Sequence, residues 1–431
     1  MAKRAMVGAA MAMVLAQGTA LSCATAEAPP AVWTADGVDQ LPSFERGHLF
    51  APADIALARE LVEAGDPEVT AARDAIIAEA DRLVTAPIVK VTDGKANGER
   101  TAPLGDPRDY VSLSPYWWPD PDKEDGLPFI RRDGEINPDR SNYDADKLKS
   151  FGDTTRALAM GYLVTGDERY AERAAEHLRA WFVTPETRMV PRMQFGQFVP
   201  GLSEGRKSGI IETLRIRFVA DAIEMLQDSK HWSASDDAAA RQWYGEYLEW
   251  LMTSELGLAE AATLNNHGTW YATQCAQYAL ISGRDDIARQ MVDHGFERVA
   301  NQIKPDGSQP EEIARTLGLD YTCFNLRALM DMARYGQTLG IDLLNHETGD
   351  GRSIRAGIEF SVPFATDAEP WPYQQIRTTR YNMYNQLFRM ALRRYGDPAF
   401  GAAIGALPAL EQDDMWMAYV WPRRPEERAG E

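Results

Sequence analysis

The chain has 431 residues, 45% of them hydrophobic, which is enough to bury a large core in one domain or several. Its 64 acidic residues outnumber its 45 basic residues, so the formal charge is −19 at pH 7. This excess of negative charge disfavours nucleic acid and anionic membranes as partners.

The first 26 residues have the features of a secretory signal peptide. Lys3 and Arg4 form a basic start, residues 5–21 are apolar or small, and Ala24-Thr25-Ala26 is an Ala-x-Ala cleavage signal. The sequence therefore predicts a periplasmic or secreted protein, with lipid attachment at Cys23 as a minor alternative. No later apolar run is long enough to span a bilayer, so we expect no membrane span.

Residues 27–431 are predicted to form a single all-α domain with an extended N-terminal arm. Apolar residues recur at helical spacing from Pro52 to Ala64 and from Pro67 to Val84. Further helices are predicted at 144–164, 168–182, 208–226, 236–254, 270–282, 286–303, 322–339, 353–360 and 379–395. Successive amphipathic helices with short connections, and no fixed-length repeat, favour an α/α barrel (toroid) of antiparallel helical hairpins with long loops on one rim.

Two irregular stretches interrupt this helical pattern. Residues 89–141 are rich in Gly, Pro and Asp and are too long to be an idle connection. They contain Tyr116-Trp117-Trp118 between prolines, a stiff aromatic platform of the kind on which sugar rings stack. The alternative is that these rings only pin the loop to the core. The second stretch, residues 186–207, contributes Gln197 and Arg206 as further candidates for substrate contacts.

Chemistry-bearing side chains are concentrated in Asn265-Asn266-His267-Gly-Thr-Trp270-Tyr271, at the start of a predicted helix. Asn265 is predicted to cap that helix, and Asn266 and His267 to belong to a site. Trp270 and Tyr271 are candidate substrate contacts.

Arg315 and Tyr321 form the second informative group, on either side of a glycine-containing turn. A free tyrosine has a pKa of about 10, and a nearby guanidinium favours its phenolate. Asn, His, Arg and Tyr without a carboxylate pair suit β-elimination from a uronate, in which the carboxylate is neutralised, H5 is removed and the leaving O4 is protonated. Where H5 and O4 lie on one face, a single tyrosine can serve as base and then as acid.

Three motifs together resemble the alginate-lyase-type polysaccharide lyases, whose fold is a helical α/α barrel. They are Asn265-Asn-His-Gly-Thr-Trp-Tyr, Pro305-Asp-Gly-x-Gln-Pro-x-Glu with Arg315 and Tyr321 after it, and Tyr116-Trp-Trp-Pro-Asp-Pro. The third motif is similar to the branch that includes glucuronan lyases. The resemblance implies an anionic polysaccharide substrate, either glucuronan, polymannuronate (alginate) or both, which differ only at C2.

The resemblance also implies a role for each of four residues. Asn266 would neutralise the substrate carboxylate, and His267 would polarise Tyr321 or act as a base. Arg315 would stabilise the tyrosinate and the carboxylate. Tyr321 would be the catalytic acid and the base.

Other interpretations stay open. A glycoside hydrolase on the same barrel needs two carboxyl groups, for which the available residues are Asp144, Asp146, Glu204 and Glu212. A non-catalytic polysaccharide-binding protein would need only the aromatic platform. Arg315 alone would be a surface ion pair with Glu311 or Glu312. We predict no cofactor and no metal ion, and we expect Cys275 and Cys323 to be buried and unbridged.

Overall fold

The computed structural model describes residues 41–95 and 105–428. The predicted signal peptide, Cys23 and residues 27–40 of the predicted arm lie outside the described residues. Within the described residues there are fifteen α-helices: α1 Pro52–Glu63, α2 Pro67–Leu83, α3 Ala145–Thr165, α4 Glu168–Leu178, α5 Arg217–Met225, α6 Ala234–Thr253, α7 Glu255–Ala261, α8 Asn266–Ile281, α9 Asp285–Gln302, α10 Pro310–Ile313, α11 Gly318–Leu339, α12 Ile354–Ala365, α13 Tyr381–Tyr395, α14 Pro398–Gly405 and α15 Trp416–Val420. Shorter helical segments are the 3₁₀ turns Pro138–Asn142, Lys207–Ile216, Gln412–Asp414 and Pro425–Arg428 and the π-helical turn Arg179–Val183.

The helices pack into a closed ring. Helix α3 contacts α2, α4 and α5, and α8 contacts α5, α6, α9 and α11. Helix α11 in turn contacts α13, α13 contacts α15, and α15 returns to α2. This closure makes the fold an all-α toroid and confirms the predicted fold class. None of the described helices is both long and apolar enough to cross a membrane.

The predicted helices are found within a few residues of their predicted ends, with two informative differences. The helix predicted from 208 begins as the 3₁₀ turn Lys207–Ile216 and becomes α-helical only at Arg217. Helix α8 begins at Asn266, four residues before the predicted start, because the Asn265 side chain accepts the His267 backbone N–H at 3.1 Å. The capping role predicted for Asn265 is therefore confirmed.

Two small sheets lie in the irregular stretches, where no strand was predicted. Strands β1 (Val111–Leu113) and β4 (Phe195–Phe198) are parallel, and β2 (Trp117–Trp118) and β3 (Ile130–Arg131) are antiparallel. Strands of two to four residues are too short to produce an alternating pattern that identifies them in the sequence. The second sheet holds the aromatic platform in place.

Candidate active site

A cleft of about 1180 Å³ opens on one side of the toroid and collects nearly all of the candidate residues. Of the described residues, twelve cationic side chains line it: Arg82, Arg131, Arg140, Lys149, Arg156, Arg206, Lys207, Arg215, Arg217, Arg315, Arg327 and Arg380. Seven acidic side chains line it: Glu79, Asp146, Asp153, Glu212, Glu260, Asp413 and Asp414. The cleft is thus locally cationic although the chain carries −19, and it suits an anionic ligand.

Tyr321 lies in the first turn of α11, and its hydroxyl is the centre of a polar cluster in the cleft. Arg315 Nη2 donates to the Tyr321 hydroxyl at 3.0 Å, and the Arg315 guanidinium carbon lies 4.0 Å from the centre of the tyrosine ring. The Tyr116 hydroxyl lies 3.2 Å from the same oxygen. The structure therefore brings Tyr116, Arg315 and Tyr321 together from two distant segments.

The pKa of Tyr321 is nevertheless raised, not lowered. Burial of the hydroxyl and the neighbouring Tyr116 raise this pKa above its usual value of 10, and they outweigh the opposing effect of Arg315. Arg315 does lower the pKa of Tyr321, as predicted, but this effect is smaller than those of burial and Tyr116. At neutral pH Tyr321 carries its proton and is ready to act as an acid.

Arg315 is held in place by Asp133, an acid that sequence reasoning did not single out. Arg315 Nη2 donates to Asp133 at 3.0 Å, and the Thr316 hydroxyl donates to the same carboxylate at 3.1 Å. The interpretation that paired Arg315 with Glu311 or Glu312 is wrong: Arg315 pairs with Asp133, Glu312 is buried against Asn266, and Glu311 forms no salt bridge among the described residues. Asp133 lies 182 residues before Arg315, so no local pattern reveals the pair.

Glu312 is the buried partner of Asn266. It is 1% exposed and accepts the Asn266 backbone N–H and the Asn266 side-chain amide, both at 2.6 Å. These bonds fix the Asn266 side chain at the N-terminus of α8, while its Oδ1 has no partner among the described residues. Burial raises the pKa of Glu312 to about 7, with the two Asn266 bonds opposing the rise.

This raised pKa predicts a pH dependence of stability. A carboxyl group whose pKa rises from 4.5 to about 7 on folding stabilises the protein fully below pH 4.5, and the contribution is lost as the pH rises through 7. Between pH 5 and pH 8 the free energy of unfolding should fall by about 2 kcal/mol more in the natural protein than in Glu312→Gln. Urea unfolding of both proteins at the two pH values measures this, and equal pH slopes would contradict it.

His267 forms a close pair with Glu260, a second acid that sequence reasoning missed. His267 Nδ1 lies 2.6 Å from Glu260 Oε1, and Glu260 is 1% exposed. A carboxylate can only accept, so His267 donates through Nδ1–H; in the neutral ring Nε2 then carries the lone pair. Nε2 has no partner among the described residues, and the His267 side chain lines the cleft.

The aromatic platform is split between two environments. Tyr116 and Trp117 line the cleft, and the Arg206 guanidinium carbon lies 5.4 Å from the Trp117 ring centre. Trp118 does not line the cleft: its Nε1 donates to the Glu135 carbonyl at 3.1 Å. The reason is that successive side chains of a strand point to opposite faces. The structure therefore places Trp118 away from the other predicted substrate contacts.

A matched pair of substitutions tests this division. Trp117→Ala should raise KM for a polysaccharide substrate about tenfold, because a stacking surface is lost. Trp118→Ala should leave KM within about twofold, although it removes the same ring from the neighbouring position. Steady-state rates of both variants measure the difference. Equal effects on KM would show that Trp117 and Trp118 do not differ in their contact with the substrate.

Helix α8 places both Trp270 and Tyr271 out of reach of a sugar ring. Trp270 borders the cleft, but it is only 1% exposed because it packs against Phe324, with ring centres 5.0 Å apart. Tyr271, one residue and about 100° further round the helix, is buried in the core and donates to the Leu251 carbonyl at 2.9 Å. Its place in the core leaves no surface for a substrate.

Arg206 and Gln197 both line the cleft. Arg206 donates to the Ser114 hydroxyl at 3.1 Å and forms no salt bridge among the described residues, so its charge is open to an anion. Burial lowers the pKa of this guanidinium. Gln197 has a φ of 50°, which is uncommon outside glycine, and its side-chain oxygen accepts from Ser208 at 2.9 Å.

The structure also shows where the two cysteines and the acids considered for a hydrolase lie. Cys275 and Cys323 are free and buried, as predicted. Among the described residues no three His, Cys, Asp or Glu side chains come together as a potential metal site. Of the acids considered for a hydrolase, Asp146 and Glu212 line the cleft, whereas Asp144 is buried against Lys95 at 2.5 Å.

A helical toroid that gathers Asn, His, Arg and Tyr in one cationic cleft has the arrangement of the α/α-barrel polysaccharide lyases. Comparisons with known proteins agree. The sequence profile of the family described as alginate lyase matches residues 93–371. The chain belongs to the alginate lyase family. A comparison with curated proteins finds no significant match.

Solved structures place the fold in the same family. An alginate lyase from Bacteroides ovatus is 32% identical, with a TM-score of 0.82, over 88% of this chain and 100% of that one. Alginate lyase A1-III from Sphingomonas species A1 is 15% identical, with a TM-score of 0.52, over 81% of this chain and 95% of that one. A variant of A1-III complexed with a tetrasaccharide has a TM-score of 0.53 at 15% identity, over 81% of this chain and 94% of that one. At that identity, the last two likenesses concern the fold alone.

Proposed function

We propose that this protein is a periplasmic or secreted polysaccharide lyase that cleaves a β-1,4-linked polyuronate by syn β-elimination. The substrates we propose are glucuronan and polymannuronate (alginate), whose units place H5 and O4 on the same face. The observation that carries the proposal is the Tyr321 hydroxyl, which lies 3.0 Å from Arg315 and 3.2 Å from Tyr116 inside a cationic cleft.

In the proposed site, cationic and amide groups neutralise the substrate. The carboxylate of the cleaved unit accepts from Arg315 and from the second Nδ2–H of Asn266, the one that Glu312 does not accept, and both donors stabilise the negative charge that builds up when C5 loses its proton. Asp133 keeps Arg315 directed at that carboxylate and at the tyrosine hydroxyl. Trp117 provides an apolar surface for a sugar ring.

The proton transfers are assigned to His267 and Tyr321. His267 Nε2 takes H5, the C5–H electron pair forms the C4=C5 double bond, and the C4–O4 bond breaks. Tyr321, which burial keeps protonated, gives its hydroxyl proton to O4. The imidazolium then returns a proton to the tyrosinate, so the site is ready for the next turnover.

The test is a direct assay. Purified protein is mixed separately with glucuronan and with polymannuronate, and the ultraviolet absorbance of the C4=C5 unsaturated uronate is followed. We expect absorbance to rise with at least one of them, and the ratio of the two rates gives the preference at C2. New reducing ends without absorbance would mean hydrolysis, and binding without either would mean a carbohydrate-binding protein.

A further inference from the structure

One guanidinium that lines the cleft has no salt-bridge partner among the described residues. Arg327, on α11, donates through Nη2 to the neutral side-chain oxygen of Gln386. The acid that attracts Arg327, Asp331, is already ion-paired with Arg217, so two guanidiniums share one carboxylate. Arg380, in contrast, has its own partner, Asp320, at 2.9 Å.

Two buried nitrogen donors at this position have no hydrogen-bond acceptor in the described part of the chain. Arg327 Nε and Gln386 Nε2 both lack a hydrogen-bond partner among the described residues, and Gln386 is only 2% exposed. Burial lowers the pKa of Arg327 to about 10, with the Arg217 and Arg380 charges adding to the effect and Cys323 and Asp331 opposing it. Two buried guanidiniums that share one carboxylate destabilise a fold, so the second cation is better explained by an anionic ligand than by stability.

This group is separate from the catalytic cluster but lies along the same wall. Arg327 follows Tyr321 by six residues on α11, which is about 9 Å along the helix axis. Phe324 lies between them, lines the cleft and packs on Trp270. An apolar surface therefore separates two cationic positions, which is the pattern that a chain of sugar rings with regularly spaced carboxylates would match.

We propose that Arg327 and Gln386 form a second carboxylate subsite, which binds the uronate carboxylate of a sugar unit other than the one that is cleaved. The subsite rests on the proposed function, because it assumes a polyuronate in the cleft. A carboxylate there accepts from the guanidinium and adds the second negative charge that Asp331, shared with Arg217, does not supply. Gln386 orients the guanidinium through its side-chain oxygen.

The test compares Arg327→Gln with Arg334→Gln. Arg334 lies on the same helix but does not line the cleft, and its Nη1 donates to the Thr338 hydroxyl at 2.6 Å. For long oligouronates, Arg327→Gln should raise KM about tenfold or more, with kcat within about twofold. KM for the shortest cleaved oligomers should not change. Arg334→Gln should leave KM for every length within about twofold, and Arg327→Lys should recover part of the loss.

Thermal unfolding and calorimetric binding distinguish a substrate-binding role of Arg327 from a structural role. Because Arg327→Gln leaves Asp331 paired with Arg217 and removes the excess cation, its Tm should be unchanged or higher. A lower Tm with unchanged KM for every length would show that Arg327 is structural and would overturn the subsite. Calorimetric binding of the same oligomers needs no turnover. If the natural protein bound them without cleaving them, lyase activity would fail, while a loss of affinity in Arg327→Gln alone would still support the subsite.

Discussion

Replacing Tyr321 by Phe should lower kcat for polyuronate cleavage by about 10³-fold or more while largely sparing substrate binding. The variant keeps the ring, which packs under the Arg315 guanidinium at 4.0 Å, but loses the only proton that the ring can deliver to O4. Absorbance assays give kcat, and calorimetry with the same oligouronate gives Kd. Turnover near that of the natural protein would eliminate Tyr321 as the acid.

Tyr271→Phe is the matched control for this prediction. It also removes a tyrosine hydroxyl that donates a hydrogen bond, at 2.9 Å to the Leu251 carbonyl, but from the core and not from the cleft. It should cost about 1 kcal/mol of stability and leave kcat and KM unchanged. A fall in kcat comparable to that of Tyr321→Phe would mean that loss of a tyrosine hydrogen bond, and not of a proton donor in the cleft, explains the effect.

The parts of the fold and site that the sequence predicts are those with a local signal. The cap at Asn265 acts over two residues, and the helices follow from apolar periodicity, so both can be read without tertiary contacts. The four catalytic candidates stand out because amide, imidazole, guanidinium and phenol groups cluster in two short segments. The sequence does not predict how the toroid closes, because the closing helix α15 is five residues long and carries almost no periodic pattern.

The supporting acids could not be predicted because their partners are distant or their neighbourhood is ordinary. Asp133 meets Arg315 across 182 residues, and Glu260 lies in α7, a short helix that the pattern did not reveal. Glu312 belongs to a recognised motif, yet its direction toward Asn266 and not Arg315 depends on how α10 packs. The net charge of −19 did not predict the cationic cleft, because a total charge does not show where the basic residues lie in the fold.

Replacing Glu260 by Gln is the second large effect that we expect, with kcat lowered by about 10²-fold to 10⁴-fold. Glu260 holds His267 Nδ1 at 2.6 Å and forces the tautomer in which Nε2 has a free lone pair. A glutamine can present its amide N–H to Nδ1 and stabilise the opposite tautomer, and it also lacks the charge that stabilises an imidazolium. In a serine–histidine–aspartate triad the corresponding change costs about 10⁴-fold in kcat for the same reason.

The tautomer itself can be measured without turnover. In the natural protein the nitrogen NMR shifts of neutral His267 should show Nδ1 protonated and Nε2 unprotonated, and Glu260→Gln should increase the Nε2–H form. Glu297→Gln makes the same chemical change beside His294, where the pair is exposed and its atoms are 3.4 Å apart, and it should alter neither kcat nor the His267 shifts. If Glu260→Gln changed the tautomer but kept kcat within a few-fold, His267 would not be the base, and the proton at C5 would have to leave through Tyr321.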